Sequence, residues 1–110
     1  MPIIYLSPST QDWNLYVTGS GSEEYNMNLL ADALVPYLLS NGIQYQRNRP
    51  EMTAGSSIRE ANQGEYDLYL ALHSNAAPEG RYGEERGIIA FYYPGSVGGQ
   101  RAAELIAQEL

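Results

Sequence analysis

The chain has a single histidine, His73, and its position is informative. It closes the apolar run Tyr66–Leu72 and opens the polar turn Ser74-Asn75. A histidine inside such a run would pack; one at its end is placed like a metal ligand or a catalytic base. Carboxylates that could work with it stand at Glu23-Glu24, at the start of the first long helical pattern. Hydroxyls stand at Ser7-Pro8-Ser9-Thr10, just past the first apolar run. These three segments are far apart in sequence, so only the fold can bring them together.

The fold that would do so is legible as an alternation of strand and helix patterns. Ile3 to Leu6 reads as a short strand stopped at Ser7-Pro8, and Ser9 to Gly21 as a polar loop. In "SEEYNMNLLADALVPYLLSNG", Met27, Leu30, Ala31, Leu34 and Leu38 recur at helical spacing, and Asn41-Gly42 supplies a stop. Pro36 inside that pattern predicts a kink or a shorter helix. Ile43 to Arg47 reads as a second strand, ended by Asn48-Arg49-Pro50. A short helix is expected from Ser56 or Ser57 to about Asn62, closed by Gly64. Tyr66 to Leu72 is so continuously apolar that it reads as a central strand covered on both faces. Glycine-rich, charged sequence from Pro78 to Gly87 predicts a surface loop. "GIIAFYYPG" then reads as a fourth strand, and Ser96 to Leu110 as a final helix with one apolar stripe.

This order predicts an α/β fold, a mostly parallel sheet flanked by helices with right-handed crossovers. Ligands of such sheets bind beyond the carboxyl ends of the strands. Ser7–Thr10, Glu23-Glu24 and His73–Asn75 all belong to that rim. The ending at Leu110, inside an amphipathic helix with no stop signal, reads as a truncated single domain over residues 1–110.

Composition narrows the partners. A chain of 110 residues supports one domain, burying ~65% of its unfolded surface. The net charge is −7 and the six basic residues, all arginine, are scattered. Neither nucleic acid nor an anionic membrane is an expected partner. Cysteine is absent, which removes disulfides, thiolate catalysis and cysteine-based zinc sites. The first residues carry no signal-peptide pattern, and no apolar stretch approaches the ~20 residues of a membrane span. Cytoplasmic synthesis without a signal peptide is the expectation. Ten tyrosines stand against one tryptophan and one phenylalanine. Rings in strands pack well with their hydroxyls at the edge, and carbohydrate-facing surfaces favour them too.

At this point the residues reach a resemblance. The pattern "IIYLSPS…EEYNMNLLADALVPYL…GIQYQRN…SIREANQGEYDLYLALHSNAA…RGIIAFYYPGS" resembles the zinc-dependent N-acetylmuramoyl-L-alanine amidases of the amidase-3 family. It covers essentially this whole chain and the first half to two thirds of the family's catalytic domain. Its most specific pieces are Ala61-Asn62 with Tyr66-Asp67, and Leu72-His73-Ser74-Asn75-Ala76. The resemblance implies zinc as cofactor and peptidoglycan or a muropeptide as partner. It makes His73 a metal ligand and Glu24, with Asn28-Leu29 after it, a second; Glu23 is one residue out of register. Where the family has its first histidine this chain has Thr10, a poor zinc ligand. Asp12 is the nearest substitute, and Gln11 a weaker one. Asn75 is implied to orient substrate. The family's catalytic glutamate is expected beyond Leu110, so this chain by itself is expected to be inactive.

A catalytic zinc takes three protein ligands and one water, lowering the water's pKa and polarising the scissile carbonyl. The reaction implied is hydrolysis of the amide joining N-acetylmuramic acid to L-alanine in the cell wall, reached after lysis or during sporulation. Two other readings follow from the altered first ligand: a non-catalytic muropeptide-binding domain, or an unrelated α/β binding module with a structural His73.

Overall fold

A computed structural model describes residues 2–74 and 88–110. Its elements run β1 (Ile3–Pro8), α1 (Glu23–Ser40), β2 (Gln44–Arg47), α2 (Ala54–Gln63), β3 (Leu68–Leu72) and α3 (Val97–Glu109). The three strands form one parallel sheet in the order β2-β1-β3, so this is a small α/β fold. Residues Met1–Ser74 and Asn75–Leu110 are two compact units. The sheet, α1 and α2 belong to the first; α3 belongs to the second.

The central strand is β1, not β3 as the apolar run suggested. Ile4 pairs with Tyr45 on one side and Leu68 on the other, and the registers continue to Leu6↔Arg47 and Pro8↔Leu72. Tyr5 and Leu6 are fully buried, whereas most of β3 is half-buried. An apolar run shows that both faces are covered, and says nothing about which strand lies between two others. β1 also passes the expected stop at Ser7-Pro8, because β3 extends far enough to pair with both residues.

The helices start on side-chain caps. Ser22 Oγ accepts the Tyr25 N–H at 3.0 Å, with Glu23 and Glu24 in the positive first turn. Thr53 Oγ1 accepts the Ser56 N–H, and Ser56 Oγ accepts the Thr53 N–H. That reciprocal cap starts α2 at Ala54, two residues before the expected Ser56. Ser96 caps α3 through the Gly99 N–H.

Pro36 does not end α1: the helix runs 18 residues to Ser40. The missing proline N–H removes one rung of the ladder, while the capped start and buried Ala31 and Leu38 hold the rest. The end is a Schellman motif: the Ile43 N–H reaches Leu38 O at 2.9 Å and the Gly42 N–H reaches Leu39 O at 3.1 Å. Gly42 has φ +73, and an added Cβ would meet nothing within 4 Å. Gly42→Ala is therefore expected to cost about 1 kcal/mol through the backbone alone. A lower urea midpoint with an unchanged m-value would show it.

The expected fourth strand is not formed by its described residues, 88–93, and Pro94-Gly95 make a turn with Gly95 at φ +87. Ile88, Ile89, Phe91 and Tyr93 are exposed. Strand-forming residues become a strand only against a paired edge, and among the described residues none is hydrogen-bonded to this segment. Among the described residues no helix is long and apolar enough to cross a membrane.

Two clamps hold helices to the sheet. Arg47, ending β2, donates to Asp32 Oδ1 at 2.7 Å and to Asn28 O and Oδ1 on α1. Tyr5 Oη, on β1, donates to Glu60 Oε1 on α2 at 3.0 Å, and Arg49 pairs with the other Glu60 oxygen at 3.2 Å. The Tyr5 ring stacks on Tyr69 at 5.6 Å and meets Tyr66 edge-on at 5.3 Å.

Candidate functional site at the strand ends

The strand order reverses at β1, because the chain leaves it toward β2 and returns across it to β3. The crevice beyond the carboxyl ends of β1 and β3 is thus the switch point where such sheets bind ligands. Pairing continues into it: the Ser9 N–H bonds Leu72 O at 2.9 Å, which sets Ser9 beside the end of β3. The loop between β1 and α1 turns at Tyr16–Gly21, with the Tyr16 N–H on Gly21 O. Gly19 and Gly21 take the positive φ values that this turn needs, 76 and 97. The Glu23 N–H then bonds Asn14 O at 2.8 Å, fixing the start of α1 over the crevice.

Glu23 is the buried centre of the site, only 2% exposed. Its Oε2 accepts from the Ser9 hydroxyl and from His73 Nδ1, the latter at 3.3 Å. Its Oε1 accepts from both the backbone N–H and the hydroxyl of Ser74, each at 3.2 Å. Tyr16 Oη lies 2.7 Å from the Ser74 hydroxyl and joins the same network. Burial alone would raise the Glu23 pKa. The hydrogen bonds from Ser9, His73 and Ser74 together outweigh it and hold the carboxyl below its ordinary 4.5. With Nδ1–H donated to a carboxylate, His73 carries its free lone pair on Nε2. The His73 side chain is about half exposed.

The carboxylate that meets His73 is therefore that of Glu23. Ser22 is the cap and Glu23 the first helical residue; one step along a helix turns a side chain by about 100°, which carries Glu24 to a half-buried place beside it. Asp12 is exposed, its N–H on Thr10 O, and no hydrogen bond joins it to Glu23 or His73. Asn75 lies outside the described residues. Ser9 and Ser74 stood on the expected rim without a role of their own, and Tyr16 was not singled out from sequence; a serine cap read at Ser22 is the signal that would have selected Glu23.

Beside the network a cavity of about 290 Å³ opens between the strand ends and the start of α2, lined among others by Thr10, Trp13, Asn48, Met52, Tyr69 and His73. Asn48, 7% exposed, donates from Nδ2 toward Ser7 Oγ, Pro8 O and Ser57 Oγ, each at 3.1 Å. Tyr69 Oη also donates to Ser7 Oγ at 2.9 Å. These bonds tie the ends of β1 and β2, and Tyr69 near the start of β3, to the first turn of α2.

As a metal site the donor set is incomplete. Glu23 and His73 supply a carboxylate and an imidazole, but their neighbour Ser9 offers only a neutral hydroxyl. Among the described residues no group of three or more histidine, cysteine, aspartate or glutamate side chains could hold a metal ion. The described residues do not make a three-ligand catalytic zinc site by themselves. Compared with protein-family models, curated proteins and solved structures, the chain gives no match.

Proposed function

We propose that this chain acts on peptidoglycan at its Glu23–His73 edge, as part of an N-acetylmuramoyl-L-alanine amidase that cleaves the lactyl–alanine amide. One observation carries the reading. Glu23, the neighbour of the Glu24 that the resemblance names at the opening of the first helix, meets the histidine after the third strand, 50 residues on, at 3.3 Å. That meeting uses Glu23 where the resemblance pointed to Glu24. Ser9 and Ser74 hold the Glu23 carboxylate, which accepts from His73 Nδ1 and leaves Nε2 as the ring's lone-pair atom. A zinc held there would need a further ligand from outside the described residues, and the substrate would be met in the cell wall.

Zinc titration of the purified chain by calorimetry, beside release of stem peptide from muropeptides, tests this. One zinc per chain is expected, lost in His73→Ala and Glu23→Ala and retained in Glu24→Ala. A folded chain that takes no zinc and cleaves no muropeptide overturns the hydrolase reading.

A second reading, muropeptide binding without cleavage, is favoured by Thr10. It lines the cavity at the position where the resemblance expects a histidine. Its signature is retention of intact muropeptide with or without zinc. Failure to bind muropeptide at all would leave an unrelated α/β binding module.

A further inference from the structure

Glu23 accepts from the hydroxyls of Ser9 and Ser74, and each hydroxyl is backed by a further donor from the loop between β1 and α1. A carboxylate oxygen can only accept, so the one proton of the Ser74 hydroxyl is directed to Glu23 Oε1. The 2.7 Å bond between Ser74 and Tyr16 then has one direction left: Tyr16 Oη donates and Ser74 Oγ accepts. The Ser9 hydroxyl is used in the same way. Its proton goes to Glu23 Oε2, and its oxygen accepts the Gln11 N–H at 3.2 Å. Two relays therefore run inward, from Tyr16 through Ser74 and from Gln11 through Ser9, and both end on Glu23. Each outer donor polarises the hydroxyl ahead of it, which strengthens the bond that hydroxyl gives to the carboxylate.

The exposure of the loop singles out Tyr16. Trp13, Leu15 and Val17 are 73%, 71% and 75% exposed, while Tyr16 is half-buried. The antiparallel bridge Leu15↔Ser22 makes this stretch extended, so successive side chains point to opposite sides. A loop anchored by packing alone would bury its apolar members. This one leaves three of them exposed and turns in the side chain that ends in a hydroxyl. That hydroxyl meets the hydroxyl of Ser74, 58 residues on, and Glu23 carries the relay to His73 Nδ1 at 3.3 Å.

We propose that Tyr16 is a positioning residue of the His73 site, acting through Ser74 and Glu23 to hold the ring with its proton on Nδ1 and its lone pair on Nε2. The role rests on the proposed function only in taking His73 as the working side chain, and its test needs neither metal nor substrate. Nitrogen NMR of the metal-free chain, at a pH where the ring is neutral, reads the ratio of the Nδ1–H to the Nε2–H tautomer. Tyr16→Phe keeps the aromatic ring and deletes only the donor. Because Tyr16 is half-buried in a loop, that change leaves the fold intact. The ratio is expected to fall about fivefold, the factor that one hydrogen bond of ordinary net strength supplies. Ser74→Ala should lower it at least as much. Tyr16→Phe added to Ser74→Ala should change nothing more, because the relay is already cut. A wild-type ratio in Tyr16→Phe would mean that Tyr16 only packs the loop, and overturns the role. A further fivefold fall in the Ser74→Ala background also overturns it, since Tyr16 would then act by another route. Zinc titration of the same chains separates this from the hydrolase reading. A wild-type chain that takes no zinc while Tyr16→Phe shows the fall sinks the hydrolase reading alone. A chain that takes zinc while Tyr16→Phe keeps its ratio sinks the positioning role alone.

Discussion

Tyr5→Ala is expected to destabilise the fold by about 3–5 kcal/mol, the range for deleting a fully buried aromatic ring. Tyr5 sits at 0% exposure in the central strand, between the Tyr66 and Tyr69 rings, with its hydroxyl on Glu60. Truncation removes the ring contacts, leaves a void between sheet and α2, and frees one Glu60 oxygen. Against a typical stability of about 5–15 kcal/mol the loss is large, and urea denaturation reads it directly. Tyr5→Phe separates the two contributions: it keeps the ring and should lose only about 1 kcal/mol for the hydrogen bond. The same residue sets an alkaline limit. Burial first, then the hydrogen bond and charge of Glu60, push the phenol from 10.0 up to about 12. Between those values the unfolded chain has released this proton and the folded chain has not. Stability therefore falls as pH rises from 10 to 12, and Tyr5→Phe should lack that part of the slope.

Glu23→Ala is expected to cost about 2–3 kcal/mol, because the Ser9 hydroxyl, the Ser74 N–H and His73 Nδ1 lose their common acceptor in a buried place. Glu23→Gln is a sharper probe. The amide keeps the shape, Oε1 can still accept from Ser74, and an NH₂ replaces the oxygen facing His73. His73 must then accept at Nδ1 and carry its proton on Nε2, so its outward lone pair is lost. Stability should change by about 1 kcal/mol or less, while nitrogen NMR of the ring reports the exchanged tautomer and zinc affinity collapses. An unchanged tautomer would show that the carboxylate does not orient the ring. The acid limb follows from the same bonds. Because the folded Glu23 titrates below 4.5, its contribution is complete above that pH and is lost as pH falls through the folded value. Glu23→Gln should flatten the pH dependence of stability there.

Much of this was legible in the sequence, and each departure has a physical cause. The α/β alternation, the Asn41-Gly42 stop and the convergence of strand ends on His73 follow from periodicity, turn residues and crossover rules. These signals act within a few residues or along one chain direction. Strand order was not legible in the apolar run of β3, since lateral neighbours leave no local mark. Pro36 did not shorten the helix, because the caps at both ends and the buried Ala31 and Leu38 offset its missing hydrogen bond. Residues 88–93 have the side chains of a strand but no paired edge among the described residues. The choice between Glu23 and Glu24 turned on a single helical step. Asn48 read as the end of a strand, and only the three acceptors gathered by Ser7, Pro8 and Ser57 reveal it as the floor of a cavity.

The central place of β1 has a consequence for biosynthesis. This strand is made before both of its partners, and one of its two edges stays open until β3 is made. Ile3 and Asp67, which close that edge, are separated by 64 positions. At ordinary elongation rates the interval is roughly 3–13 s, long against the microsecond formation of local structure. Throughout it, β2 and α1 are the first elements able to cover the strand, and its remaining edge can pair with another nascent chain. Slow translation just ahead of Leu68 should therefore lower soluble yield, even in a sequence whose finished fold is unchanged.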